Sequence, residues 1–178
     1  MLNEVFHDVY VSNILAVIIA MPILLAVWSV LSVLFKEKTT WICVIAVAIS
    51  IVLIIYITVF SRGESEPGLD LIPFSSFVRA RTQPHMYRSM LMNVFLFFPL
   101  GLFLPYLIEG GIKRRILLTV SWGLLLSVTV ELIQLIFSIG LCETDDVICN
   151  TLGAALGSLA YPLSVLWTKR KNKTDKSK

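Results

Sequence analysis

The residues of this chain that could do chemistry are carboxylates and carboxamides lying beside or within apolar runs. Grouped carboxylates suit general acid/base catalysis or divalent cations, and carboxamides form hydrogen bonds to ligands or between helices. Because a polar group in lipid is costly unless it is partnered, such residues mark a candidate functional site. The candidates are Asn93, Glu131, Gln134, Asp145, Asp146 and Asn150.

The elements that position these residues are predicted to be membrane helices. Hydrophobic residues make up 57% of the 178 residues and charged residues only 15%, which is atypical of a soluble domain. At about 1.5 Å per residue, a helix needs about 20 residues to cross a hydrocarbon core. We therefore predict an all-α polytopic membrane protein with about five transmembrane helices. The apolar stretches are residues 13–35, 41–60, 90–108, 116–137 and 147–167.

The distribution of Lys and Arg predicts the orientation of these helices, because short basic loops stay in the cytoplasm. If the C-terminal tail is inside, eleven of the 15 Lys and Arg residues lie in the cytoplasm and four lie outside. The N-terminus is then outside, the C-terminus is inside, and residues 169–178 form a basic cytoplasmic tail. Next to a membrane helix this tail indicates topology and not a nucleic-acid partner.

In this orientation the six candidates lie at one depth, near the outer ends of the third, fourth and fifth helices. At about 100° per residue, Asp146, Asn150, Gly153 and Gly157 share one stripe of the fifth helix. Gly153 and Gly157 form a small-xxx-small ridge that lets another helix approach closely, and Gly101 is a further packing glycine. We expect the ridge to pack on the fourth helix, since a short loop joins the two.

Four polar motifs occur in order between residues 69 and 161. They are Leu71-Ile-Pro-Phe74, Asn93 with Leu96-Phe-Phe-Pro-Leu-Gly101, Glu131-Leu-Ile-Gln134, and Asp145-Asp-Val-Ile-Cys-Asn-Thr-Leu-Gly153 with Gly157. Their order and spacing resemble the VanZ-like family of bacterial membrane proteins, whose founding member is linked to glycopeptide, particularly teicoplanin, resistance. The resemblance implies a three-helix membrane domain over residues 61–168 and a bacterial plasma membrane location. Residues 1–60, outside the resemblance, are predicted to be two anchor helices.

The chain departs from the family pattern at three positions. Asp70 replaces a leading Asn, and Glu143 replaces the first Asp of the acidic run, so both keep an oxygen acceptor. Gly140 stands where many members have an Arg, which removes a cation that could bind phosphate or neutralise the acids. The arginines of the other outer loop are candidates to replace this cation: Arg79, Arg81 and Arg88.

The candidate residues also have structural explanations. Asp145 and Asp146 open a helix and can cap it, each contributing under about 1 kcal/mol. Interhelical hydrogen bonds that lock helix packing can account for Gln134 and Asn150, and helix packing can account for Asn93. Glu131 lies about 9 Å below the interface, and neither explanation covers it, so we expect it to be functional. Residues 69–78 carry enough apolar side chains to lie in the headgroup region and cover the acids.

Two classes of function stay open. In the first, the outer-face site binds or shields a lipid-linked cell-envelope component and so changes susceptibility to glycopeptide or lipoglycopeptide antibiotics. In the second, the protein is a membrane enzyme whose carboxylates form an acid/base or divalent-metal site that modifies a lipid-linked headgroup. A transporter is disfavoured because the chain has no internal repeat.

The sequence also sets expectations about cofactors and partners. It offers no specific nucleophile and no strong metal motif, and its three cysteines include no CxxC pair. We therefore expect no cofactor and no resident metal. The expected partners are the lipid bilayer and a lipid-linked envelope precursor or lipoglycopeptide.

Overall fold

Helices dominate the structure, as expected for an all-α membrane protein. The computed structural model describes residues 2–60, 68–83 and 85–175, with side chains for residues 14–60, 68–83 and 85–173. A π-helix, Tyr56–Phe60, continues α2, and a 3₁₀ helix, Leu104–Tyr106, continues α4. The helices are α1 (Leu2–Leu34), α2 (Thr39–Ile55), α3 (Ser75–Arg79), α4 (His85–Phe103), α5 (Ile112–Phe137), α6 (Thr144–Ser158) and α7 (Ala160–Asp175).

Five spans within the described residues are long and apolar enough to cross a membrane, which confirms the predicted multi-pass architecture. The third span passes through Pro99 and changes to 3₁₀ geometry at Pro105, since proline has no N–H to donate. The fifth span consists of α6 and α7, which meet at Leu159. The orientation of the termini stays a prediction. The spans are Ile14–Leu34, Thr39–Phe60, His85–Tyr106, Ile112–Phe137 and Thr144–Lys173.

A short parallel sheet joins two loops at one end of the helix bundle, a feature that the sequence analysis did not predict. Strand β1 (Gly68–Asp70) pairs with β2 (Leu141–Glu143), with Asp70 opposite Glu143. Because β2 lies between the end of α5 and the start of α6, β1 and the following α3 lie at the level of those helix ends. We call residues 68–83 and 138–146, together with the adjoining helix ends, the acidic end.

The closest helix pair is α4 with α6, so the predicted packing of the glycine ridge on the fourth transmembrane helix, α5, is wrong. Both α4 and α6 contribute glycines, which allows their backbones to touch, whereas Gly123 of α5 faces the Cβ of Ala154 on α6 and not its backbone. A short loop makes two helices neighbours but does not decide which pair is closest. At three positions an added Cβ would overlap a carbonyl oxygen of the other helix: Gly153 with Val94, Gly157 with Phe98, and Gly101 with Ala154.

The opposite end of the bundle is held by aromatic rings. Trp28 of α1 packs edge-on against Phe103, with ring centroids 4.8 Å apart, and Tyr106 packs edge-on against Tyr161 at 5.3 Å. The guanidinium of Arg115 lies 4.5 Å from the centre of the Tyr161 ring. We call this the basic end, because it carries exposed Lys and Arg residues of the α1–α2 turn, the start of α5 and the end of α7.

The α4–α6 contact predicts the effect of one added methyl group. Gly153→Ala should destabilise the protein by about 2–3 kcal/mol, because the new Cβ meets the Val94 carbonyl and the two backbones must separate. This loss should exceed the roughly 1 kcal/mol that alanine gains in helix propensity. Thermal unfolding of purified protein in one detergent measures the difference.

The matched control is Gly111→Ala at the start of α5, where an added Cβ would have no neighbour within 4 Å. Its melting temperature should stay close to that of the wild type. Equal melting temperatures for the two variants would contradict the proposed backbone contact between α4 and α6.

Candidate functional site

The structure brings all six candidate residues to the acidic end or to the helix turns just below it. Each is buried, with at most 8% of its surface exposed. They belong to three helices, with one on α4, two on α5 and three on α6. Their polar groups are therefore shielded from solvent, which is costly for the three atoms without a hydrogen-bond partner among the described residues: Asn93 Nδ2, Gln134 Oε1 and Asn150 Oδ1.

Asp145 is bonded to the segment that follows β1. Its Oδ1 accepts a hydrogen bond from the Phe74 N–H at 2.6 Å, and its Oδ2 accepts one from the Ser76 N–H at 2.7 Å. These N–H groups belong to the N-terminal end of α3, so Asp145 caps a helix 69 to 71 residues away and not its own. Capping was the right type of interaction for this residue, but the predicted helix was wrong.

The backbone that Asp145 binds is strained. Phe74 has φ +65°, in the left-handed region that a residue with a Cβ adopts at a cost of about 1–3 kcal/mol. A hydrogen bond to a charged group contributes about 1.5–3 kcal/mol. The two bonds to the buried Asp145 carboxylate are thus large enough to offset the strain.

Arg79 is the cation of the site. Its Nη2 lies 2.8 Å from Oδ2 of Asp70 and 3.0 Å from Oε1 of Glu143, and so connects the two strands. Arg79 is one of the three arginines proposed to replace the cation missing at Gly140, and the structure places it in contact with the acidic loop. The hydrogen bonds from Ser75 and Ile72 and the charge of Arg79 lower the pKa of Asp70.

Glu131 connects α5 to β2. Its Oε2 accepts a hydrogen bond from the Glu143 N–H at 3.1 Å, and its carboxylate is also bonded to the thiol of Cys142. Burial raises the pKa of the Cys142 thiol, and the neighbouring charges of Glu131 and Asp146 raise it further. Glu131 therefore anchors β2, the strand that contains both of its partners, Cys142 and Glu143. The sequence alone did not reveal this interaction.

Gln134 and Asn150 form the interhelical hydrogen bonds that the sequence analysis gave as their structural explanation. Gln134 Nε2 donates to the carbonyl oxygen of Thr58 in the π-helix at 2.8 Å, and Asn150 Nδ2 donates to Ser127 Oγ on α5 at 2.9 Å. Asn93 lines a cleft of about 260 Å³ between α2 and α4, and its buried Nδ2 has no hydrogen-bond partner among the described residues. The amide nitrogens of Gln134 and Asn150 thus join helices, while their amide oxygens have no hydrogen-bond partner among the described residues.

The carboxylates of the acidic end do not form a metal cage. Across residues 68–83, 85–173 and 14–60, no three His, Cys, Asp or Glu side chains lie in an arrangement that could hold a metal ion. Asp145 uses both oxygens on backbone N–H groups, and Glu143 binds Arg79 and the Ser76 hydroxyl. The geometry gives the divalent-metal hypothesis no support.

Sequence reasoning missed several groups that complete the site. They are the backbone N–H groups of Phe74 and Ser76, the hydroxyl of Ser127 and the carbonyl of Thr58. Only the first two had a signal in the sequence, because they lie at the end of the Leu71-Ile-Pro-Phe74 motif or two residues after it. Single serines and threonines in apolar helices are too common to be singled out.

Comparison with known proteins agrees with the motifs. The family model described as VanZ/LLP1 matches residues 41–166, more than two thirds of the chain. The chain belongs to the VanZ/LLP1 family. It is 39% identical over 98 residues to Protein VanZ of Enterococcus faecium, an alignment that covers 54% of each chain, so it spans about half the length of this curated relative. No solved structure matches the chain.

The VanZ/LLP1 match begins before the motifs do. Its first residue is Trp41, so α2 belongs to the matched region although the motifs begin only after it. The structure agrees with this wider range, because Gln134 of α5 bonds to Thr58 at the end of α2. The division of the chain at residue 60 stays a prediction.

The Asp145 contacts predict the effect of removing its charge. Asp145→Asn should weaken both hydrogen bonds to α3, since an amide offers one good acceptor and no charge. We expect the amides of Phe74 and Ser76 to exchange with deuterium about 10–100 times faster, which corresponds to a loss of about 1.5–3 kcal/mol. Hydrogen exchange followed by mass spectrometry measures this.

The control is Glu109→Gln, a carboxylate-to-amide change at an exposed position of the basic end. It should leave exchange at residues 74 and 76 unchanged. Normal protection of these amides in Asp145→Asn would show that the carboxylate does not hold the segment.

Proposed function

We propose that this VanZ-family membrane protein uses its acidic end as an outer-face site that modulates the exposure of a lipid-linked cell-envelope component. Susceptibility to glycopeptide and lipoglycopeptide antibiotics such as teicoplanin would change as a result. Family membership supports the biological setting. The observation that supports the site is the binding of Phe74 and Ser76 by Asp145, which holds the start of α3 against the start of α6.

The proposed location is a bacterial plasma membrane with the acidic end outside. The exposed Lys and Arg residues of the α1–α2 turn, the start of α5 and the end of α7 gather at the basic end. Under the positive-inside rule this end faces the cytoplasm. The N-terminus is then outside, the C-terminus is inside, and the antibiotic-facing surface is the one formed by residues 68–83.

A membrane enzyme that modifies a lipid-linked headgroup is the alternative. An acid/base catalyst must exchange a proton with substrate, but both oxygens of Asp145 accept backbone hydrogen bonds. Glu131 is 3% exposed and holds the Glu143 N–H. These contacts favour a binding or shielding role for the acidic end over a catalytic one.

A susceptibility assay tests the proposed function. Cells that lack the gene would express the wild type, Asp145→Asn or Glu131→Gln, with membrane levels matched by immunoblot. The wild type should raise the inhibitory concentration of teicoplanin. Asp145→Asn should return it to the level of empty-vector cells, because residues 74–76 lose their hydrogen bonds to the carboxylate. Glu131→Gln keeps an acceptor for the Glu143 N–H and should retain resistance.

Each variant has a contrary outcome. Full resistance in Asp145→Asn would show that resistance does not need the hydrogen bonds between Asp145 and residues 74–76. Complete loss in a normally expressed Glu131→Gln protein would favour acid/base chemistry, since only ionisation has been removed. Glu109→Gln, at the basic end, controls for expression and should match the wild type.

The orientation is tested by cysteine labelling of intact cells. Cys142 should react with a membrane-impermeant maleimide, slowly at neutral pH because its pKa is raised and faster as the pH increases. In a Cys142→Ala background, Gln83→Cys, exposed at the same end, should react quickly, and Lys113→Cys, at the basic end, only after lysis. The reverse pattern would overturn the orientation.

A further inference from the structure

The segment from Leu69 to Val78 has two chemically different faces. The face toward the helices carries Ser76, which is 1% exposed, and the adjoining Ala80 is also 1% exposed. The opposite face carries six large apolar side chains that are between 41% and 70% exposed. These are Leu69, Leu71, Ile72, Phe74, Phe77 and Val78, which together we call the apolar face.

The charges of this segment are engaged within the protein. Residues 68–79 contain two charged side chains, Asp70 and Arg79, and these pair with each other at 2.8 Å. The N–H groups of Phe74 and Ser76 are bonded to Asp145. The segment has thus paired its charges and bound these polar groups while leaving its hydrophobic side chains unpacked.

The backbone conformation also favours exposure of the apolar face. Glycine and asparagine adopt the left-handed region most readily, yet residue 74 of this chain is a phenylalanine with φ +65°. Its ring is 58% exposed and lies 5.9 Å from the ring of Phe77. The ring gains little packing inside the protein, so contacts within the protein do not explain a phenylalanine at this costly position. We therefore look for a contact of the ring outside the protein.

The position of the segment indicates what lies against it. Pairing of β1 with β2 holds it level with the ends of α5 and α6. The spans contain 21 to 30 residues, which at about 1.5 Å each exceed or match a hydrocarbon core of about 30 Å, so their ends lie in the interfacial region. Arg81 and Arg88, which come after this segment in the chain, are both exposed, and their long side chains can reach lipid phosphates.

We propose that the apolar face is a membrane-interface anchor: it inserts into the lipid leaflet around the acidic end, with Arg81 and Arg88 at the phosphate level. The partner is the lipid bilayer itself. The acidic residues then hold a preformed hydrophobic edge against the lipid, which keeps the site at the membrane surface. This inference rests on the membrane-spanning helices and not on the proposed role in antibiotic susceptibility, so either can fail alone.

Spin-label depth measurements test the insertion. In a Cys142→Ala background, where the remaining Cys43 and Cys149 are buried, single cysteines at Ile72, Val78 or the control position Gln83 would carry the label. The protein would be placed in nanodiscs of phosphatidylglycerol and phosphatidylcholine, one copy per disc. Collision rates with oxygen, which partitions into lipid, and with a water-soluble nickel chelate report the depth of each label.

We expect the ratio of oxygen to nickel accessibility at Ile72 and Val78 to be severalfold above that at Gln83, which is exposed but polar. Equal ratios at the three positions would overturn the proposal. A high ratio that appears only in discs with two copies would assign the apolar face to a second copy of the chain, and would overturn it as well.

Two substitutions of Phe74 distinguish the contribution of its ring from that of its backbone conformation. Phe74→Asn keeps a residue that tolerates the left-handed conformation and an N–H for Asp145, but removes the ring. The label at Ile72 should then shift toward nickel accessibility while the melting temperature stays near that of the wild type. Phe74→Leu, which stays apolar, should keep the oxygen preference; an unchanged depth in Phe74→Asn would show that the ring does not hold the segment in lipid.

Discussion

The contact between the backbones of α4 and α6 is the constraint on which the acidic end depends. In lipid there is no hydrophobic force that drives helices together, so close packing and polar contacts must hold them. Gly101 on α4 and Gly153 on α6 remove the side chains that would keep the helices apart. Because Asp145 precedes Gly153 by eight residues on a rigid helix, this contact, about 12 Å away, fixes where the carboxylate lies. Asn150 then ties the same helix to Ser127 of α5.

Once Asp145 is fixed, it stabilises the turn that leads from β1 into α3. Irregular backbone near lipid is stable only where its N–H and C=O groups find partners, because water is scarce there. Asp145 serves the N–H groups of Phe74 and Ser76, and Glu131 serves the N–H of Glu143. The acids of this protein thus stabilise loops that ordinary helix packing would leave unsatisfied. This explains why carboxylates occur so deep in an otherwise apolar chain.

The sequence was sufficient for features that depend on local patterns. Hydropathy located the five spans, and helical spacing placed Glu131 and Gln134 at the same end as Asp145. The sequence was insufficient where the residue that a side chain contacts lies far along the chain. A glycine stripe shows that some helix approaches closely, but Gly153 alone cannot show that the helix is α4. Strands of three residues are too short to show an alternating pattern, so the pairing of β1 with β2 was not predictable. The role of Asp145 depends on that pairing and was assigned to the wrong helix for the same reason.

The hydrogen bonds and ion pairs that the carboxylates already form within the protein limit the chemistry that the acidic end can do. A catalytic acid or base needs an oxygen that is free to meet substrate, and a metal site needs several such oxygens directed at one point. At Asp145 both oxygens are used on backbone N–H groups, and Arg79 lies against Asp70 and Glu143. The acids therefore act on the protein's own chain, and what they present outward is the apolar face of residues 69–78. A surface of that kind suits contact with lipid or with the apolar part of a lipid-linked molecule, which is the contact that the proposed binding or shielding role requires.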